Sequence, residues 1–241
     1  MKNFLLSGRT DLGQRRKRNE DTIFMDPDRG FCLVADGIGG TAAGHIASQL
    51  FADSARNLFS AMPETEDEKY ERVQKIFLNA NDAILDYAGT HAGCEGMGCT
   101  AELLVLAGKR FILGHIGDSR TYRFRSKELK QLTKDHSLVQ EQLDQGLITP
   151  EEAAHHSFKN VILRAVGIKK NPALDVLRGN LFSGDIFLLC SDGLTDMVSD
   201  DAIKTLLGSK ADLEEKVNRL VQEANANGGK DNISVVLAQI L

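Results

Sequence analysis

Cysteine is scarce in this chain of 241 residues: there are four, Cys32, Cys94, Cys99 and Cys190, mostly in apolar surroundings and without paired Cys-x-x-Cys spacing. That usage excludes a disulfide scaffold and a thiolate zinc site, and predicts reduced thiols acting as small core residues of a cytoplasmic protein. No uninterrupted apolar run reaches the roughly 18 residues of a membrane span. The apolar part of the N-terminal segment, residues 1–9, is too short for a signal peptide. Excess basic charge is also missing. Lys and Arg number 29 against 34 Asp and Glu, for a formal net charge of −5, so the footprint of a nucleic-acid binder is absent and nucleic acid is not an expected partner. There is no Gly-x-x-x-x-Gly-Lys-Ser/Thr phosphate loop and no Ser/His/Asp or Cys/His arrangement. The glycines at 37, 39, 40 and 44 lack the order and the following strand-helix-strand unit of a dinucleotide loop. His115 falls on a predicted strand and reads as structural, whereas His155-His156 falls in a polar stretch and reads as solvated.

What is present begins with patterning. With 42% apolar residues the chain supports one substantial core and is expected to form a single domain over residues 1–241. Residues 3–10, 21–26 and 30–36 are strand-like, and Asp26-Pro27-Asp28-Arg29-Gly30 has turn chemistry, which predicts a hairpin that delivers Asp36 to a strand end. From Ala42 to Met62 the period changes. Ala47, Leu50, Phe51, Ala55, Leu58 and Met62 recur at helical spacing, and Pro63 is expected to close that helix. A second helix is predicted over about Glu66–Ala88 from Val73, Ile76, Phe77, Ala80, Ile84 and Tyr87. Strands at 103–106, 110–113 and 121–124 predict an antiparallel meander. Residues 137–157 are polar and helix-prone, with Thr149-Pro150-Glu151-Glu152 as a helix start, and read as a mobile flap. Further strands near 173–178, 185–190 and 233–240, and a helix over about 212–226, complete the order. Without strand-helix-strand alternation, this order predicts an α+β fold: a central antiparallel β-sandwich flanked by helices on both faces, in α-β-β-α layers.

Against that frame stand four short segments, each placing an aspartate beside glycine or a small polar residue: Val34-Ala35-Asp36-Gly37-Ile38-Gly39-Gly40, Ile116-Gly117-Asp118-Ser119, Leu189-Cys190-Ser191-Asp192-Gly193 and Gly228-Gly229-Lys230-Asp231-Asn232. Three follow apolar runs that read as buried strands, so each carboxylate stands where a strand leaves the core. An adjacent glycine lets backbone approach closely and lets a carbonyl face a cation. One Asp-Gly alone is an ordinary turn, and it is the conjunction that carries the argument. With Glu20 and Asp21 the inventory reaches six carboxylates on five separate segments, more than one divalent ion needs. Gathered acids repel one another unless cations hold them, so Mg²⁺ or Mn²⁺ is the expected cofactor. Asp36 is the best candidate to bridge two ions, with the Gly37 carbonyl beside it. Paired ions about 3.5–4 Å apart depress the pKa of a shared water and stabilise attacking and leaving oxygens, which suits phosphoryl transfer to water. Arg16, at the edge of the basic run Arg15-Arg16-Lys17-Arg18, offers the planar fork that matches phosphate oxygens.

The motifs follow one another in order: Asp11-x-Gly13-x-x-Arg16-x-x-Asn19-Glu20-Asp21, Asp36-Gly37-Ile38-Gly39-Gly40, Gly98-Cys99-Thr100, Gly117-Asp118-Ser119-Arg120, Leu132-Thr133-x-Asp135-His136-Ser137, Ser191-Asp192-Gly193-Leu194 and Gly229-Lys230-Asp231-Asn232-Ile233. Across essentially the whole chain they resemble the metal-dependent Ser/Thr protein phosphatases of type 2C, in particular the compact bacterial members. The resemblance implies one ion held by Asp36, Asp192 and Asp231, and a second held by Glu20, Asp36 and the Gly37 carbonyl. A third, as in bacterial relatives, would be held by Asp118 with Asp192. It further implies that Asp21 orients the attacking water, that Arg16 binds the substrate phosphate, and that a flap over about 137–167 influences substrate choice. The implied activity is hydrolysis of phosphoserine and phosphothreonine in proteins by metal-activated water, opposing a Ser/Thr kinase; the cysteine usage places it in the cytoplasm, and a monomer is the default expectation. Two departures stand out: animal members have a histidine where this chain has Ile38, and many bacterial members have one where it has Thr41. A metal-coordinated water is then the expected proton donor to the leaving group, with His45 an outside candidate. Two rival functions are a partner-switching regulatory phosphatase of the same fold and a non-catalytic phosphoprotein-binding module. The second would be expected to lose a metal acid, and this chain keeps them all.

Overall fold

The computed structural model describes residues 3–39, 43–61, 65–154 and 156–241. In chain order the elements are β1 Phe4–Asp11, β2 Thr22–Asp26, β3 Phe31–Ala35, β4 Gly37–Ile38, α1 Gly44–Leu58, α2 Glu66–Thr90, β5 Gly98–Cys99, β6 Ala101–Ala107, β7 Arg110–Ile116, β8 Arg120–Arg125 and β9 Glu128–Gln131. They continue with α3 Leu138–Asp144, α4 Pro150–Ala154, β10 Asp175–Asn180, β11 Ile186–Cys190, α5 Asp192–Thr195, α6 Asp200–Leu207, α7 Leu213–Ala226 and β12 Ile233–Ile240.

Two five-stranded antiparallel sheets, ordered β1-β12-β11-β8-β9 and β10-β7-β6-β3-β2, stack face to face. Alternation along each strand dictates the layers. On β3, Cys32 and Val34 point between the sheets toward Phe187, Leu189 and Val236. Phe31, Leu33 and Ala35 point the other way, into a layer with Phe51, Ala55, Phe77 and Ile84 of α1 and α2. The strand is buried on both faces, which is why it reads as a continuous apolar run. On the opposite side α6 and α7 cover the first sheet, with Ile203, Val217 and Leu220 against Leu188, Val235 and Leu237. The α-β-β-α sandwich expected from the sequence is the fold observed.

Local chemistry accounts for the element ends. In the β2–β3 hairpin the Asp26 carboxylate accepts the N–H groups of Asp28 (3.0 Å) and Arg29 (2.9 Å). At the start of α2, Thr65 Oγ1 accepts the N–H of Glu68 while Glu68 Oε2 accepts that of Thr65, a reciprocal capping box. The first helix stops at Leu58, short of the expected Met62, because Phe59 turns into the core with its ring 4.6 Å from that of Phe31. Met62 and Pro63 lie outside the described residues. Cys32, Cys99 and Cys190 are buried and Cys94 partly so, all as free thiols, and burial pushes the Cys32 thiol up to about 12. Among the described residues no helix is long and apolar enough to cross a membrane.

One expectation is corrected. The stretch from Cys99 to Leu132 is not a single meander: β6 and β7 pair in one sheet, whereas β8 crosses to the other and pairs with β11. The space beside β7 is taken by β10 and that beside β6 by β3, so the chain must leave the sheet at Gly117-Asp118-Ser119. The described residues of 137–167 form α3, α4 and irregular backbone whose two stems are fastened together. Ser137 bridges Ile162, and the Leu163 N–H donates to the His136 carbonyl at 2.7 Å. Thr149 caps α4 as expected. His156 is half-buried, its Nδ1 accepting the Phe158 N–H at 3.2 Å, so it is less solvated than the sequence suggested; His155 lies outside the described residues.

Candidate metal centre

Antiparallel pairing gathers the acids. Thr22 of β2 lies opposite Ala35 of β3, so Asp21, just before one strand, neighbours Asp36, just after the other. Cys190 of β11 lies opposite Val235 of β12, which brings Asp192, just after one strand, and Asp231, just before the other, to the same end, where both line one cavity. Asp118 follows β7 at this end. Close backbone approach is needed at two glycines. A Cβ on Gly37 would stand 2.2 Å from the Gly44 carbonyl oxygen, and one on Gly193 would stand 1.9 Å from that of Asn232. The expectation that glycine beside the acids permits tight approach holds at both.

Arg16, Glu20, Asp36, Gly37, Asp192 and Asp231 line one cavity of about 230 Å³. Asp118 lines a neighbouring cavity of about 410 Å³ that shares Asp192 and Asn160 with the first. Asp21 sits behind the wall, buried, with Oδ2 accepting a hydrogen bond from Ser191 Oγ at 2.8 Å, and Ser191 Oγ in turn accepts the Ser234 N–H at 3.0 Å. Asp36 is fixed through its backbone: its N–H donates to Thr100 Oγ1 at 3.1 Å, its carbonyl accepts the Thr100 N–H at 2.9 Å, and Thr100 Oγ1 meets Ser119 Oγ at 2.7 Å.

The carboxylates feel one another. Burial, then Asp21, Asp192, Asp118 and Asp231, hold the Asp36 carboxyl well above its ordinary value. Burial, then Asp118 and Asp231, do the same to Asp192. Burial and Asp135 push Asp118 up to about 7, with Arg120 opposing. Burial lifts Asp21 to about 6 against the hydrogen bonds from Ser234 and Ser191. Arg16 answers this negative field. Its guanidinium lies 2.5 Å from Asp231 Oδ2, and that hydrogen bond, reinforced by Asp36 and Asp192, holds it protonated.

Two buried oxygens, Oδ1 of Asp21 and Oδ1 of Asp192, have no hydrogen-bond partner. An orphaned carboxylate oxygen in such a wall is costly, and hard-oxygen donors of this kind fit Mg²⁺ or Mn²⁺. Among the described residues no group of three His, Cys, Asp or Glu side chains already closes on a common point. Arg16 sits on one of the acids, Asp231.

His45 does not line the acid cavity; its Nδ1 lies 3.5 Å from the Arg18 guanidinium. Ile38 does line it, and Gly40 and Thr41 lie outside the described residues. Sequence reasoning missed Ser191, Ser234, Thr100 and Asn232 as supports, and Asn160 and Asp196 as wall. Several of these lie inside the motifs, but only their neighbours' acids drew notice.

An acid-walled cleft at one end of an antiparallel sandwich, with a guanidinium set over it, defines a metal-assisted enzyme built for phosphate esters. The family model described as protein phosphatase 2C matches residues 13–238. The serine/threonine phosphatase stp of Listeria innocua is 37% identical over 238 residues, covering 96% of this chain and 94% of that protein. The crystal structure of the serine/threonine phosphatase PstP/Ppp of Mycobacterium tuberculosis gives a TM-score of 0.92 at 37% identity, over 98% of each chain. The catalytic domain of PstP in complex with two manganese ions gives 0.90 at 36% identity, over 99% of this chain and 98% of that one. The chain belongs to the protein phosphatase 2C family.

Proposed function

We infer that this protein removes phosphate from serine and threonine side chains of phosphoproteins, with Mg²⁺ or Mn²⁺ bound in the acid-walled cleft. It is a metal-dependent protein serine/threonine phosphatase. Asp36, Asp192 and Asp231 are assigned to one ion, Glu20, Asp36 and the Gly37 carbonyl to a second, and Asp118 with Asp192 to a third. When bound, such ions supply Lewis acidity toward phosphoryl oxygens and a lowered pKa for coordinated water.

The chain's own residues do the rest. Arg16 exchanges Asp231 for two phosphate oxygens and holds the phosphoryl group by its fork. Asp21, its Oδ2 secured by Ser191 and its buried Oδ1 unpartnered, is assigned to orient the attacking water from behind the wall. Among the described residues the wall of the acid cavity carries no hydroxyl, thiol or imidazole, and on this reading water attacks phosphorus directly, without a covalent enzyme intermediate. With Ile38 in the wall, the leaving alkoxide takes its proton from water in the cleft. On the same reading residues 1–241 form one catalytic domain with residues 137–167 as a flap. It acts as a cytoplasmic monomer on the targets of a Ser/Thr kinase.

The observation that carries this reading is Asp36 ringed by Asp21, Asp118, Asp192 and Asp231 with Arg16 seated on the last. Hydrolysis of a phosphothreonine peptide with Mn²⁺, Mg²⁺ or chelator, alongside Asp192→Ala, tests it. Turnover is expected to need the ion and to fall by at least about 100-fold in the variant. Undiminished turnover in chelator, or in Asp192→Ala, would overturn the site. A folded, metal-binding chain with no turnover would point instead to a phosphoprotein-binding module.

A further inference from the structure

Arg16 and Glu20 sit on a stretch, residues 12–20, that has neither helix nor strand and little burial to hold it. Leu12 is 40% exposed, and residues 14–18 are exposed throughout. Yet the proposed chemistry requires Arg16 and Glu20 to keep a set relation to Asp231. Other ties hold single points, the Gln14 N–H donating to the Gly229 carbonyl at 2.7 Å and Ser48 Oγ to the Glu20 carbonyl at 2.6 Å. The side chain next to Asp231 is one that spans both sides of Arg16. Asn232 is buried, its Oδ1 accepts the Glu20 N–H at 2.9 Å, and its Nδ2 donates to the carbonyls of Leu12 and Arg18, both at 3.0 Å. A carboxamide offers two N–H donors and one acceptor oxygen, and here both donors and the oxygen are spent on the backbone of this one segment. The fastenings bracket Arg16 on either side. At its other end Asn232 is tied to Asp231, its own N–H donating to Asp231 Oδ1 at 2.7 Å.

We propose that Asn232 is a positioning residue that sets Arg16 and Glu20 against Asp231, so that one carboxamide registers the phosphate-binding and metal-binding edges of the cleft together. The assignment rests on the phosphatase reading above. An isolated loop tie would affect stability alone; a registering residue affects two affinities, each through a named partner. Aspartate at this position keeps an acceptor for Glu20 and loses both donors to Leu12 and Arg18, which separates the two edges.

The test uses the full chain and p-nitrophenyl phosphate, with inorganic phosphate as inhibitor and calorimetric titration of Mn²⁺. Asn232→Ala is expected to weaken phosphate inhibition and Mn²⁺ binding each by about tenfold, the scale of one or two lost buried hydrogen bonds. Asn232→Asp is expected to weaken phosphate inhibition while Mn²⁺ affinity is unchanged or tighter, since the Glu20 acceptor is kept and a carboxylate is added beside Asp231. In an Arg16→Ala background Asn232→Ala adds less than about twofold to the phosphate inhibition constant, because its effect runs through Arg16. Multiplicative effects in that cycle, or a loss of thermal stability with both affinities unchanged, would overturn the proposal. So would failure of both Asn232 variants to fold, which would make the residue merely structural. Absence of turnover by the parent protein would sink the phosphatase reading, and the Mn²⁺ titration would still decide whether Asn232 sets Glu20.

Discussion

Arg16 has two claims on it. In this structure it is bound to Asp231, an acid assigned to an ion, and in turnover it is needed on the substrate phosphate. A charge-assisted hydrogen bond contributes about 1.5–3 kcal/mol, so Arg16→Ala is expected to raise KM for a phosphopeptide about 10- to 100-fold with a smaller change in kcat. Removing the cation that competes for Asp231 leaves Mn²⁺ affinity unchanged or tighter. Steady-state kinetics with calorimetry checks both, and a fall in kcat at constant KM would place Arg16 elsewhere in the reaction. Ser191 and Thr100 also serve as supports: Ser191 Oγ donates to the Asp21 carboxylate, and Thr100 holds the backbone of Asp36.

At the scale of elements, the strands that deliver Asp118 are joined by a buried ion pair that the chemistry does not use. Glu102 of β6 lies directly opposite His115 of β7, and both side chains are fully buried. Glu102 bonds His115 Nδ1, Thr121 of the facing sheet donates to Glu102, and His115 Nε2 donates to the Lys134 carbonyl at 2.9 Å. Burial by itself pulls His115 down, but Glu102 and the Lys134 carbonyl override it and raise the imidazole to about 9. Because this folded value lies above the ordinary 6.5, the protonated imidazole's own contribution is whole below that pH and is lost as pH rises through about 9. Burial holds the Glu102 carboxyl above its ordinary value, so at low pH the carboxylate side of the pair is lost. His115→Leu strands a buried carboxylate and is expected to cost about 3–5 kcal/mol in urea unfolding. Glu102→Leu combined with His115→Leu is expected to cost less than His115→Leu alone, since no charge is left unpaired. Equal or greater loss in the double variant would contradict this account.

For the whole molecule, the cleft acids couple stability to pH and to metal. Asp21 and Asp118 titrate near 6 and 7 in the folded chain against an ordinary 3.8, and Asp36 and Asp192 are raised well above it. An acid with a raised folded pKa favours the folded state only while protonated, so its contribution disappears as pH climbs from about 4 through that value. Chelated protein is therefore expected to lose thermal stability between about pH 4 and 7, and Mn²⁺ to restore it by mass action, with a larger shift at higher pH. His136 runs the other way. Burial and His115 press it down to about 4, so its own contribution is lost as pH falls below 6.5. Asp118→Asn leaves His136 in place and is expected to flatten the slope of the chelated protein. Thermal melts with chelator or Mn²⁺ across this range check the sign, and a pH-independent Mn²⁺ shift would refute the coupling.

Much of this was legible in the residues because it is short-range. Period along the chain set the two long helices and the hairpin over 21–36. Turn chemistry placed Asp36, Asp118 and Asp192 at strand ends, and the order of the motifs pointed to the family. Helix α6 and the one-turn α5 were not seen, being too short to show a clear period. The division of residues 99–132 between two sheets depended on which sheet edges remained free, a fact no local pattern contains. Asn232 is the sharpest case: its side-chain partners lie more than 200 positions away, and a hydrogen bond to distant backbone leaves no mark in periodicity or composition. The sequence by itself determined which acids exist and that strands would carry them. Only the tertiary structure decided how they face one another, because burial and mutual charge arise when the strands pair.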